Sequence, residues 1–253
     1  MARGWALVTG ATAGIGAEFA RQLAARGHDL VLVARDVGRL ELFATELRSA
    51  FTAEVEVLPA DLSVRADVRR VEVRLTDAER PIVYLVNNAG YGLARSFDEN
   101  DLETEQAHLD VLVTAPMRLS HAALQAMLPR GSGTIVNVAS VAAYTPRGTY
   151  GACKAWVISF SRWANIAYRG HGVTVTAVAP GFVHTEFHDR MRVRKDSVPR
   201  VLWLDAPYVV GTALRAADRH RAVVVPSLRY KTVVALSRLL PPSIVARGAL
   251  RGR

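Results

Sequence analysis

Four short runs in this chain are apolar almost without interruption: VLVA at 31–34, IVYLV at 82–86, TIVNV at 134–138 and VTVTAV at 173–178. Successive side chains of a strand point to opposite faces, so a strand with one face in water alternates apolar with polar residues. Runs without that alternation are buried on both faces, which calls for helices on either side of a parallel sheet. Longer stretches of helical period lie between them. The pattern predicts strands over 5–9, 30–34, 55–59, 82–87, 134–139 and 173–178, with a short one over 223–225. Helices are expected over 14–26, 38–51, 65–78, 99–127, 150–168 and about 207–218. Repeated βαβ units of this kind build either a doubly wound sheet or a closed barrel.

The turn after the first strand favours the doubly wound form. It reads Thr9-Gly10-Ala11-Thr12-Ala13-Gly14-Ile15-Gly16 and leads directly into AEFARQLAARG. Gly10 permits a tight turn, Gly14 a close approach of backbone to a pyrophosphate, and Gly16 close packing of helix on strand. The helix N-terminus behind them offers unpaired N–H groups and a partial positive charge to phosphate. The expected fold class is therefore α/β, a single Rossmann-like domain on a doubly wound parallel sheet. The second strand ends Val33-Ala34-Arg35-Asp36, with Arg39 four residues after Arg35. A guanidinium there suits a ribose 2′-phosphate through charge-assisted bonds, whereas a carboxylate would suit a free 2′-hydroxyl. Asp36 directly precedes a helix and reads as its N-cap. The expected cofactor is NADP(H), with Arg35 on the phosphate.

Composition narrows the remaining classes. One cysteine, Cys153, excludes an internal disulfide and a multi-cysteine zinc site, and fits a reducing compartment. The N-terminus carries no recognisable targeting signal and no apolar run is long enough to span a membrane, so a cytoplasmic location is expected. His184 and His188 are four apart, but no third ligand is evident and no metal is expected. The net charge is +9. Nine basic residues (215, 219, 221, 229, 231, 238, 247, 251, 253) against Asp218 alone place most of it at the C-terminal end. That end lacks a series of stacking aromatics, so nucleic acid is not an expected partner.

Four further motifs follow the glycine turn in order: Asp61-Leu62, Asn87-Asn88-Ala89-Gly90, Tyr150-Gly-Ala-Cys-Lys154 and Pro180-Gly181. With them the chain resembles the short-chain dehydrogenase/reductase family over residues 4 to about 187. The resemblance implies that Gly10, Thr12, Gly14, Ile15 and Gly16 hold the pyrophosphate and that Asp61 and Leu62 flank the adenine. It implies Asn88, Ala89 and Gly90 along the adenosine ribose side. Pro180 and Gly181 begin the segment in which Val183 and Thr185 meet the nicotinamide carboxamide. Tyr150 would donate a proton to a ketone, assisted by Lys154, with Ser140 orienting the carbonyl; Tyr150 and Lys154 also border the cofactor. The spacing of Tyr150 and Lys154 puts both on one helical face, where an ammonium would draw the phenol toward working pH.

Two positions depart from the family pattern. Leu112 aligns with an asparagine that helps to hold a water linked to the catalytic lysine, and leucine forms no hydrogen bond. The loop between Ser140 and Tyr150 is shorter than is usual, with Thr145 and Thr149 as secondary hydroxyls. Residues 1–226 are expected to form the domain, including a substrate lid at about 182–206 whose Phe182, Phe187, Val201, Leu202, Trp203 and Leu204 would line an apolar pocket. Residues 227–253 form a basic amphipathic extension with apolar residues at 233, 236, 240 and 244, interrupted by Pro241-Pro242. Such a helix packs on the domain, on a partner copy, or on an anionic membrane surface. The tail also resembles that of bacterial reductases of lipid-linked 3-oxo acyl chains, including those of mycolic acid assembly. The expected activity is NADPH-dependent reduction of a ketone on an apolar, lipid-linked 3-oxo acyl substrate. An NADP-dependent alcohol dehydrogenase of small substrates and an NADP(H)-binding protein with little catalysis stand as alternatives, and a homo-oligomer, dimer or tetramer, is implied by the resemblance.

Overall fold

The structure is a computed structural model that describes residues 4–186, 199–241, 244 and 245. Seven strands, β1 (Trp5–Thr9), β2 (Asp29–Ala34), β3 (Val55–Pro59), β4 (Ile82–Asn87), β5 (Gly133–Val138), β6 (Val173–Val178) and β7 (Val223–Val224), form one sheet in the order β3-β2-β1-β4-β5-β6-β7. Every neighbouring pair is parallel. The helices are α1 (Gly14–Ala25), α2 (Val37–Ala50), α3 (Arg65–Leu75), α4 (Leu102–Leu109), α5 (Ala115–Arg130), α6 (Gly148–Tyr168), α7 (Ala206–Asp218) and α8 (Leu228–Leu239).

The alternation missing from the strand sequences is present in their burial. Ala6, Val8, Leu30 and Leu32 join Phe19, Leu23, Leu40 and Val210 of α1, α2 and α7 in one core. Leu7, Val31, Val33 and Leu85 face the other way, against Val68, Val71 and Leu119 of α3 and α5. Both faces are dry, so both sets of strand positions are apolar. The strand order reverses between β1 and β4, and the crevice outside their C-terminal ends is where open α/β sheets bind ligands.

The helix expected over 99–127 divides into α4, a π-helical turn over Asp110–Thr114, and α5. It starts later than expected because Asp101 is its N-cap, its side chain accepting the Thr104 amide at 2.7 Å. At the turn the Ala115 amide bonds the Asp110 carbonyl, five residues back. Pro116 follows and has no N–H for the carbonyl of Leu112, four residues before it.

Helix α8 does not leave the domain. Tyr230 and Val234 are buried, and the helix ends before Pro241 as the sequence predicts; Pro242 lies outside the described residues. Two of its cations contact the domain: Arg229 donates to the Val201 carbonyl at 2.6 Å, and the Arg238 guanidinium stands 4.9 Å over the Tyr144 ring. No described helix is long and apolar enough to cross a membrane.

Candidate active site

The glycine turn is held from three sides. Gly10 has φ +64 and Gly14 φ +55, backbone states that glycine adopts without strain. A Cβ on Gly10 would stand 2.9 Å from Ala89 Cα, and one on Gly14 2.8 Å from Thr185 Cγ2. At Gly16 it would lie 2.2 Å from the Gly10 carbonyl oxygen, so that glycine serves the packing of the turn on α1. The Asn88 side chain donates to the carbonyls of Thr9 (2.9 Å) and Gly10 (3.2 Å), and the Thr9 hydroxyl accepts the amides of Asn88 and Ala89 at 3.0 Å each. Asn88 therefore ties the end of β4 to the turn after β1. Helix α1 begins after Ala13 without a side-chain cap, which leaves its first amides and partial positive charge to the crevice.

Arg35 stands 72% exposed at the far rim, its nearest carboxylate oxygen that of Asp61 at 3.8 Å. Burial pushes the Asp61 carboxyl up, but the amide and hydroxyl of Ser63, with Arg35, outweigh it and hold it below its ordinary value. Asp36 caps α2, accepting the Arg39 amide at 3.0 Å. The Arg39 side chain donates to Glu186 at 2.8 and 3.1 Å and to the Thr12 carbonyl at 3.3 Å, fastening the glycine turn to the segment after β6. Arg39 and Glu186 were not among the expected site residues. Their separation of 147 positions carries no sequence signal.

Ser140 follows β5, and Tyr150 and Lys154 share one face of α6. The Lys154 ammonium donates to the Val138 carbonyl at 2.8 Å and stands 5.8 Å from the Tyr150 ring centroid. Burial pushes the phenol up to about 12, against a hydrogen bond from Ser140 and the field of Arg147; burial pulls Lys154 down to about 8. The groups that draw the phenol toward working pH are therefore Ser140 and Arg147, where the sequence pointed to Lys154. Leu112 is buried, and a Cβ on Gly90 would meet its Cδ2 at 2.8 Å and Lys154 Nζ at 3.6 Å, so the leucine does stand beside the lysine.

One cavity of about 1060 Å³ joins these parts. Of the expected site residues, all but Gly16 line it: Gly10, Thr12, Gly14 and Ile15; Arg35, Asp61 and Leu62; Asn88, Ala89 and Gly90; Ser140, Tyr150 and Lys154; Pro180, Gly181, Val183 and Thr185. Thr145 lines it and Thr149 does not. Of the expected apolar lid, Phe182 and Leu202 line the cavity and Leu204 belongs to the core; Val201 is half exposed, and Trp203 packs against Phe182 and stacks on His184 at 4.9 Å. Phe187 and His188 lie outside the described residues, and among those described no cluster could hold a metal.

The wall opposite the glycine turn comes from α8 and the residues after it. Val233, Leu236, Leu240 and Ile244, the stripe read from the sequence, all line the cavity. Tyr230 anchors them: its hydroxyl donates to the Leu202 carbonyl at 2.6 Å and accepts the Phe182 amide at 3.0 Å. Its ring lies where a Cβ on Gly181 would be, at 1.8 Å from Cζ.

The uncapped helix start, the turn that no Cβ could enter and the exposed Arg35 fit a phosphorylated dinucleotide. A family model described as short chain dehydrogenase matches residues 4–196. A short-chain dehydrogenase from Sphingobium yanoikuyae, solved in complex with NADPH, is 36% identical, with a TM-score of 0.85 over 93% of this chain and 94% of that one. The bulky-bulky ketone specific alcohol dehydrogenase from Comamonas testosteroni is 33% identical, with a TM-score of 0.80 over 93% and 92%. The very-long-chain 3-oxoacyl-CoA reductase of Anas platyrhynchos is 35% identical over 72% of this chain, which spans 60% of that protein.

Proposed function

Because the chain belongs to the short-chain dehydrogenase family, we propose that it is an NADPH-dependent ketoreductase acting on an apolar, lipid-linked 3-oxo acyl substrate. The observation that carries this reading is the single cavity with the glycine turn at one end, Ser140, Tyr150 and Lys154 in its wall, and the apolar face of α8 opposite. Similarity to an NADPH-bound short-chain dehydrogenase, together with Arg35 at the rim, supports the cofactor. Similarity to a very-long-chain 3-oxoacyl-CoA reductase and to a bulky-ketone enzyme supports a large apolar substrate.

A dinucleotide bound here would supply the hydride for the carbonyl carbon. The amides at the start of α1 would hold its pyrophosphate and Arg35 its 2′-phosphate. Ser140 donates a hydrogen bond to the carbonyl oxygen, and Tyr150 gives that oxygen the proton which completes the alcohol. A phenol held near 12 is protonated at neutral pH, the state a proton donor needs. Lys154 stands by as an ammonium to offset the phenolate left behind. Val233, Leu236 and Leu240, the apolar stripe of α8 that lines the cavity, would pack along the acyl chain.

A homo-oligomer is part of the proposal. Met117 of α5 and Trp163 and Ile166 of α6 are large apolar side chains left exposed on neighbouring helices.

NADPH oxidation followed at 340 nm tests the reading, with short ketones and 3-oxo acyl thioesters of increasing length, NADH as control, and Tyr150→Phe beside the wild type. The expected outcome is turnover that rises with chain length and falls by at least about a hundredfold in Tyr150→Phe. Leu112 beside Lys154 favours one alternative, a cofactor-binding protein with little catalysis. NADPH binding without turnover of any ketone would establish that alternative.

A further inference from the structure

Beside Tyr150 and Lys154 stand buried polar atoms without a hydrogen-bond partner. His108 of α4 is 1% exposed. Its Nε2 stands 3.1 Å from the Tyr91 carbonyl, which only accepts, so Nε2 carries the proton and Nδ1 is a lone-pair acceptor. Nδ1 is buried with no hydrogen-bond partner. One turn earlier, buried Glu105 accepts the Asn100 amide on Oε1 at 2.7 Å, and its Oε2 is likewise buried and unpartnered. Lys154 of α6, near enough for its charge to bear on His108, is 5% exposed, with three N–H donors and one hydrogen bond among the described residues. The imidazole lies nearly parallel to the Tyr150 ring, 6.2 Å between centroids and 22° between planes. The side chain of Leu112, one turn further along, offers neither donor nor acceptor. Buried acceptors without donors, beside a buried ammonium with donors to spare, call for a link between them.

We infer that His108 is a positioning residue for Lys154: its Nδ1, through one bridging water, accepts a hydrogen bond from Nζ and holds the ammonium where it serves Tyr150, with Glu105 as the countercharge behind the imidazole. Such a water needs two to four polar partners, and Nζ, Nδ1 and Glu105 Oε2 are three. The inference rests on the reading of Tyr150 and Lys154 as the catalytic pair. The ionisable groups around His108 are Glu105 on its own helix, Tyr91 from the segment after β4, and Tyr150, Cys153 and Lys154 on α6. Burial holds His108 below its ordinary value, so it is neutral at pH 7, as an acceptor must be. An acceptor at Nζ favours the charged lysine and works against the burial that lowers its pKa, so removing that acceptor lowers the Lys154 pKa.

The chain has three lysines, 154, 195 and 231, so NMR of Cε-labelled lysine follows Lys154 in the cofactor-free protein, with Lys154→Met for assignment. In His108→Phe, which keeps the stacked ring and removes the acceptor, the Lys154 midpoint is expected to fall by about half a pH unit or more. The alkaline limb of kcat for ketone reduction is expected to move down with it, while KM for the ketone stays within about twofold. His108→Asn, whose amide oxygen stands close to where Nδ1 stood, is expected to restore both. An unmoved lysine in His108→Phe overturns the inference, and so does a shift that His108→Asn leaves uncorrected, since that would be an effect of packing. If His108→Phe does not fold, Glu105→Gln decides: a lower Lys154 midpoint supports the link and an unmoved one overturns it. If the wild type reduces no ketone, the reductase reading fails by itself and the lysine titration still judges His108.

Discussion

Arg35 and Arg39 both sit at the adenosine end of the crevice, and at the level of single residues their partners decide what each can do. The Arg39 guanidinium is committed to Glu186 and the Thr12 carbonyl, whereas Arg35 has one carboxylate oxygen at 3.8 Å and most of its surface in water. A group that is already paired must give up that pairing to meet a phosphate, and Arg35 has little to give up. Arg35→Ala is therefore expected to weaken NADPH binding by about tenfold or more and to leave NADH within about twofold. Fluorescence titration with the two dinucleotides reads the difference. Asp36, the residue that argued for NADH, accepts the Arg39 amide as the cap of α2, as its position before a helix suggested. At this scale the motif residues were legible because their chemistry is local to a turn. His108 and Glu105 were not, because what marks them is an unpartnered buried atom, and burial on a helix flank is not written in neighbouring residues.

At the scale of elements, the two departures from expectation have different origins. Helical period predicts one span for the fourth helix, but Pro116 has no N–H and leaves a carbonyl without its partner, and the π-helical turn ends two residues before it. The sequence of α8 is amphipathic, but an amphipathic stripe reports only that one side avoids water. Its destination depends on Tyr230, whose hydroxyl joins two strands of chain 20 residues apart at Phe182 and Leu202. Tyr230→Phe keeps the ring against Gly181 and removes that link, leaving the Phe182 amide and the Leu202 carbonyl without it. We expect a stability loss of about 1–3 kcal/mol in denaturant titration. KM for long acyl substrates is expected to rise several-fold, since α8, Phe182 and Leu202 wall the same cavity.

For the molecule as a whole, the surface left over matters as much as the cavity. Ile166 is 70% and Trp163 56% exposed on α6, and Met117 is 44% exposed on α5. Trp163 also closes a row of rings with Trp156, Phe160 and Tyr168, so its position is set by packing along the helix. Large apolar side chains exposed on two helices are suited to burial against a second copy of the same chain. Sedimentation is expected to find the wild type as a dimer or tetramer and Trp163→Glu as a smaller species with unchanged far-UV circular dichroism. A wild-type monomer would refute the proposed assembly.

The sequence by itself determined the doubly wound sheet, the crevice at its switch point and the order of the motifs around it. The reason is that strand burial, helix period and glycine turns act over fewer than about twenty residues. Only the tertiary structure decided which charges are tightly paired and which stand mostly in water, as with Arg39 and Arg35. It alone turned the stripe of α8 into a pocket wall, and stacked His108 of one helix on the Tyr150 ring of another. Those outcomes depend on side chains that meet across the sheet and between helices far apart in the chain, where no local pattern records the meeting.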